Sequence, residues 1–163
     1  MSQTKLTAER LRELLNYDPE TGLFTWRVTR AKGKKGAVAG GRDDLGYVKI
    51  GIDGGDYRGQ RLAWLHYYGE WPARQVDHID GNPENNAIAN LRDVDTSLNQ
   101  QNIRKAKSTN KSGLIGVSRK AKCSIARINV DGEVRYLGAF KTDAEAHAVY
   151  LDAKRRFHPG CTI

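Results

Sequence analysis

The chain has 163 residues, 39% of them apolar, and a net charge of +8, which allows one ordinary domain or two small ones with modest cores. Its two cysteines, Cys123 and Cys161, lie far apart and form no Cys-x-x-Cys pair, which argues against a zinc ribbon or a disulfide scaffold. Residues 1–20 alternate charged with apolar side chains and no apolar run reaches spanning length, so the expected setting is cytoplasmic and no membrane partner is expected.

In chain order, leucines at helical spacing over residues 6–15 predict a short helix, with Thr7 as its N-cap. Residues 17–22 have turn composition, and the aromatic and β-branched residues of 23–28 predict a strand. A basic, glycine-rich loop over 30–41 leads to a hairpin, with strands at 47–52 and from Tyr57 onward around Asp53-Gly54-Gly55-Asp56. Residues 61–68 read as a helix stopped by Gly69, with Pro72 beyond it. From Val76 to Asn102 the natural parse is strand, loop, strand, helix. A basic, polar stretch at 106–111 has linker composition. Beyond it, 114–117, 124–130 and 134–140 read as three strands, the last two joined at Asp131-Gly132. Thr142 then caps a helix with an apolar stripe. The expected class is α+β throughout.

Charge is unevenly spread along these elements. Residues 1–103 hold 14 Lys/Arg against 14 Asp/Glu, and residues 104–163 hold 13 against 5, so the whole excess lies in the C-terminal segment. A basic segment of this kind faces a polyanion, most simply nucleic acid.

Chemistry concentrates in Val76-Asp77-His78-Ile79-Asp80-Gly81, Asn90-Leu91-Arg92 and Ser97-Leu98-Asn99-Gln100-Gln101-Asn102. A histidine can take a proton from water near neutral pH, and aspartate and asparagine oxygens suit a hard divalent ion such as magnesium. Phosphodiester hydrolysis needs an activated water and positive charge where negative charge builds, which His78 and a metal held by its neighbours would supply. Because Asp77 and His78 are adjacent, a regular strand would send them to opposite faces, and a bend is expected to bring both to one site.

These segments resemble the HNH endonuclease family, in particular its phage and homing-endonuclease branch. The resemblance extends upstream through Tyr17-Asp18-Pro19-Glu20-Thr21-Gly22, Arg61-Leu62-Ala63-Trp64 and Gly69-Glu70-Trp71-Pro72. It implies a ββα-metal (His-Me finger) fold at about 75–105 within a nuclease domain of residues 1–105. It also implies His78 as general base, Asn90 bonded to the His78 ring, and Asp77 and Asn99 as ligands of one Mg²⁺ or Mn²⁺ ion. Relatives carry histidine before Arg61, where this chain has Gln60, so Gln60 is given no catalytic role. Asp80 is expected to bond the loop.

Residues 112–163 are similar to the AP2 DNA-binding domain, a three-stranded antiparallel sheet backed by a helix, on the strength of Ser112-Gly113-Leu114-Ile115-Gly116-Val117, Tyr136-Leu137-Gly138-Ala139-Phe140 and the Ala144–Tyr150 run. That resemblance makes Arg119, Lys120, Lys122, Arg127 and Arg135 the candidate DNA contacts. Ser124 stands where relatives carry tryptophan. Alternation alone puts Arg127 opposite Ala126 and Ile128, which should face the helix. The expectation is therefore a metal-dependent DNA endonuclease acting on double-stranded DNA inside a phage or bacterial host cell, as a monomer or weak dimer without a small-molecule cofactor. The alternative is a DNA-binding protein with a decayed nuclease motif, against which the intact Asp77, His78, Asn90 and Asn99 argue. The charge argument is blind to the sugar, so RNA stays open as a partner. His66, His147 and His158 are expected to be structural.

Overall fold

A computed structural model describes residues 6–30 and 33–162, and its contacts divide the chain into two compact units, Met1–Asp95 and Thr96–Ile163. No helix among the described residues is long and apolar enough to cross a membrane.

The first unit begins with α1 (Ala8–Leu14), whose first turn is closed by Thr7 Oγ1 accepting from the Arg10 amide at 3.2 Å. Its Leu11 and Leu14 are buried. Leu15, expected to continue the helix, instead opens β1 (Leu15–Tyr17), which pairs antiparallel with β2 (Phe24–Trp26). The intervening turn is built by Asp18, whose carboxylate accepts from the Glu20 amide at 3.0 Å and from Thr21 Oγ1 at 2.7 Å.

A second sheet is formed by β3 (Gly41–Arg42), β4 (Val48–Ile52) and β5 (Gly55–Arg58), in that order. The expected basic loop partly falls on residues 31–32, outside the described residues. Asp53 and Gly54 have φ of 47° and 82°, so both central residues of the β4–β5 turn are left-handed, as a two-residue type I′ hairpin demands. The chain then enters α2 (Gly59–Tyr68), which ends as expected: Gly69, at φ 83°, donates its amide to the Leu65 carbonyl at 3.0 Å. Leu11, Leu15, Phe24, Ile50, Ile52, Leu62 and Leu65 form the core of the unit.

His66 on α2 sits half-buried among Tyr17 and Phe24, with Nε2 3.3 Å from the Leu15 carbonyl. Burial holds this imidazole below its ordinary value, although the Leu15 carbonyl pulls the other way. The unfolded ring therefore binds a proton at a pH where the folded ring does not, and stability must fall as pH drops below roughly 6.5. We expect His66→Gln, which keeps a donor for Leu15, to lose less stability than the wild type between pH 8 and pH 5.5 in urea unfolding. Parallel losses would remove His66 as the cause.

The unit closes with β6 (Gln75–His78) and β7 (Leu91–Val94), an antiparallel pair joined by a loop that ends in a 3₁₀ turn at Ile88–Asn90.

The second unit opens with α3 (Thr96–Gln101), followed by an irregular stretch and three strands, β8 (Val117–Arg119), β9 (Ser124–Val130) and β10 (Glu133–Phe140), in the order β10-β9-β8. The first of these starts three residues later than the sequence pattern suggests, because Gly113 and Gly116 adopt left-handed φ of 70° and 74° and keep the chain turning. A Cβ at Gly116 would lie 1.9 Å from the Tyr150 ring, so only glycine lets the turn close there. Asp131 and Gly132 make a second left-handed pair, φ 52° and 88°, and set the β9–β10 register with Val130 opposite Glu133.

The last helix, α4 (Asp143–Phe157), carries a full capping box: Thr142 Oγ1 accepts from the Glu145 amide at 3.2 Å and the Glu145 carboxylate accepts from the Thr142 amide at 3.1 Å. Its Ala146 and Ala153 are buried beneath Val117, Ala126, Ile128 and Val130. His147 and His158 bond backbone carbonyls of Ile115 and Asn129 at 3.1 and 2.7 Å.

Candidate functional site

Strand β6 delivers Asp77 and His78 side by side. The pairing with β7 is regular, Asp77 opposite Arg92 and His78 opposite Leu91, without the bend expected from their adjacency. Both side chains are nevertheless buried, 8% and 5% exposed, because β6 is covered on both faces at its C-terminal end.

Each residue of Asn90-Leu91-Arg92 has a distinct task. Arg92 donates from Nε and Nη2 to Asp77 Oδ2 at 3.0 and 2.7 Å, a charge-assisted pair that fixes the carboxylate across the ladder. Leu91 fills the core. Asn90 donates from Nδ2 to Asp80 Oδ1 at 2.9 Å and to the Asn85 carbonyl at 2.8 Å, while its Oδ1 accepts from the Asp80 amide at 3.0 Å. Asp80 also accepts from the Asn82 amide and Asn85 Nδ2, both at 2.8 Å, and so bonds the loop as expected. Partial burial alone would raise the Asp80 carboxyl, but the hydrogen bonds from Asn82, Asn85 and Asn90 outweigh it and hold the group below the usual carboxylate range.

The resemblance puts Asn90 against the His78 ring. In the structure that place belongs to Asn86, whose Oδ1 lies 3.1 Å from His78 Nε2. The physical reason is that Asn90 is committed to the turn after β6, while the loop folds back and brings Asn86 over the ring. On another side the Tyr47 ring approaches His78 at 5.9 Å, and the Arg58 guanidinium lies 4.5 Å over Tyr47 while ion-paired to Asp43. Burial pushes the His78 imidazole below its ordinary value; Asn86, Asp80 and Asp77 pull it back up. A neutral imidazole at neutral pH is the form able to accept a proton.

Asn99 lies on α3 in the second unit, half-buried. Among the described residues no three His, Cys, Asp or Glu side chains converge as a metal cage. The oxygens around His78 are hard: Asn86 Oδ1 at the ring, and the Asp80 and Asp77 carboxylates near enough to act on the imidazole through charge. Such a set suits magnesium, which takes one or two carboxylates and keeps water and phosphate oxygens for the rest of its shell. Gln60 is buried at the start of α2, with Oε1 lacking a hydrogen-bond partner.

In the second unit β9 alternates as the sequence requires, with Ala126 and Ile128 buried against the helix and Arg127 exposed. The five basic candidates do not share a face, however. Arg119 pairs with buried Ser124 and forms an ion pair with Asp143 at the start of α4. Arg135 pairs with Ile128 and places its guanidinium 5.2 Å over the Phe157 ring of α4. Both lie on the helix side, a consequence of the register that Asp131-Gly132 imposes. Arg127 is on the open side, opposite Tyr136, with Asn129 and Val134 next along. Lys120 and Lys122 are exposed in the β8–β9 turn. The unit's acidic residues occupy the Asp131 turn, the helix side at Glu133, and α4, which leaves the open face without a carboxylate. A cleft of about 990 Å³ in the same unit is lined by Lys105, Lys107, Arg127, Asn129, Lys154 and His158, among others.

The sequence reading missed Asn86, Tyr47 and the role of Arg92. Asn86 was hidden in Asn-Pro-Glu-Asn-Asn, which reads as a turn whatever its amides do. The side taken by Arg135 was recoverable by counting back across the two-residue Asp131-Gly132 turn.

Compared with known proteins, residues 57–101 match the family model for HNH endonuclease. A solved structure of DNA binding and cleavage by the HNH homing endonuclease I-HmuI aligns at 28% identity with a TM-score of 0.42, over 54% of this chain and 50% of that one. The chain thus matches half the length of that relative. No curated protein matches the chain.

Proposed function

We propose that the protein is a metal-dependent DNA endonuclease of the HNH type, with His78 as general base and the C-terminal unit as its main hold on DNA. The observation that carries this reading is that the segment matching the HNH endonuclease model contains the buried Asp77-His78 pair, with both side chains held by dedicated partners. His78 takes a proton from the attacking water. Arg92 keeps the Asp77 carboxylate aimed, and the tied Asp80–Asn90 loop holds the strand ends in place. One Mg²⁺ or Mn²⁺ ion, with Asp77 as ligand and Asn99 as the second ligand by resemblance, would put positive charge at the scissile phosphate and the leaving oxygen.

The test is to incubate supercoiled plasmid with purified protein and Mg²⁺, with and without chelator. Nicked and then linear product in the metal lane alone supports the reading. Intact plasmid with each of several divalent ions would leave a DNA-binding protein with a decayed nuclease motif.

We read residues 112–163 as an AP2-like DNA-binding module. Its charge excess favours phosphate contact, with Arg127 on the open side and Lys120 and Lys122 in the β8–β9 turn as the contacts. Replacing all three by glutamine is expected to flatten the slope of log affinity against log salt by about 2.7, at roughly 0.9 per phosphate contact. Arg135→Gln, on the helix side, is expected to leave the slope unchanged. The reverse pattern in a salt titration would assign DNA to the other face.

A further inference from the structure

We infer that Asn86 is the residue that positions His78, and that it does so by fixing which ring nitrogen carries the proton. The inference rests on the reading of His78 as the base and adds to it the atom at which the proton is received.

An amide oxygen only accepts hydrogen bonds, so the 3.1 Å contact between Asn86 Oδ1 and His78 Nε2 requires the proton on Nε2. In the neutral ring the lone pair then resides on Nδ1, so Nδ1 is the nitrogen able to receive a proton. The contact holds only while the amide keeps its orientation. Asn86 Nδ2 donates to the Glu84 carbonyl at 3.3 Å, and a flipped amide would set oxygen against that carbonyl and a donor against Nε2–H.

The residue itself sits in a slot built from three places in the chain. Asn86 is 1% exposed, and its backbone carbonyl accepts from the Tyr17 hydroxyl at 2.7 Å. At the start of α2, a Cβ on Gly59 would come within 2.9 Å of Asn86 Nδ2. From the turn before β2, a Cβ on Gly22 would come within 2.3 Å of the Asn86 carbonyl carbon. Two glycines therefore leave the space that the Asn86 side chain and backbone occupy. Asn90 spends its amide on Asp80 and Asn85, so the two asparagines divide the work: Asn90 shapes the loop and Asn86 orients the ring.

The test is nitrogen-resolved NMR of the imidazole groups in the full-length protein, at a pH where His78 is neutral, with the His78 signal identified by its loss in His78→Gln. The wild type is expected to show His78 as the Nε2–H tautomer. Asn86→Ala is expected to relax it to a mixture and to lower kcat by about 10- to 100-fold, within what a general base contributes, at unchanged DNA Kd and Mg²⁺ requirement. Asn86→Asp, which keeps an acceptor at Nε2 although its second oxygen faces the Glu84 carbonyl, is expected to restore the Nε2–H tautomer. A wild-type ring protonated on Nδ1 overturns the inference, and that measurement stands even if Asn86→Ala does not fold. An unchanged tautomer and kcat in a folded Asn86→Ala overturn it as well. Cleavage at the wild-type rate by His78→Ala would instead sink the catalytic reading, which the tautomer measurement does not depend on.

Discussion

His78→Ala is expected to lower kcat by about 10²- to 10⁴-fold while leaving DNA affinity nearly unchanged. A general base acts in the chemical step and makes little ground-state contact, so its loss belongs in kcat rather than in binding. The substitution also empties a buried position and leaves Asn86 Oδ1 without its donor, which costs roughly 1–3 kcal/mol of stability. His78→Gln controls for this, since its amide can still donate to Asn86 and yet cannot serve as a base near neutral pH. Both variants should be slowed by that factor in single-turnover cleavage, and only the alanine should melt early. A glutamine variant that cuts normally would remove the imidazole from the chemistry.

The second large effect is expected from a residue with no side chain. Gly22→Ala should destabilise the first unit by about 2–4 kcal/mol, combining a left-handed φ of 73° with an insertion against backbone that cannot step aside. The colliding atoms are the Ala87 nitrogen and the Asn86 carbonyl carbon, both 2.3 Å away, so the shift is transmitted to the loop that holds the imidazole. We therefore expect kcat to fall even at temperatures where the variant remains folded, and circular dichroism with cleavage assays on the same sample would check it. Wild-type stability would mean that the turn at residues 18–22 and the loop at 86–88 do not pack as closely as described.

Much of this could be read from local sequence chemistry. Both Asp-Gly turns produced hairpins with paired left-handed residues, Gly69 ended α2, and Thr142 capped α4, since each is decided by backbone preferences of one or two residues. The alternation in β9 was legible for the same reason: a strand packed on one face has a period of two. The three-residue strand β1 was not, because it follows a helix without a break and its existence depends on β2 returning beside it. The partner of His78 was also out of reach. Five asparagines lie between residues 82 and 99, and the path of the loop, not the spacing, decides which amide meets the ring. Adjacency suggested that Asp77 and His78 needed a bent strand; instead β6 stays regular and the surroundings bury both of its faces.

The segment between α3 and β8 has a consequence for protease susceptibility. Arg104, Lys105, Lys107 and Lys111 make it look like a ready substrate for trypsin, as an open linker would be. Its backbone is instead fastened at several points. Lys154, buried in α4, donates Nζ to the Ile103 carbonyl at 2.5 Å, and Arg104 reaches the Thr162 carbonyl at 3.2 Å. Asn110 Nδ2 bonds the Leu114 and Val117 carbonyls at 2.9 and 3.2 Å. A protease must pull a strand of substrate into its cleft in extended form, and these bonds oppose that unless the second unit opens first. Cleavage at these four sites thus reports on the opening of the α4 anchor, and Lys154→Met, which keeps the bulk and removes the donor, should expose them.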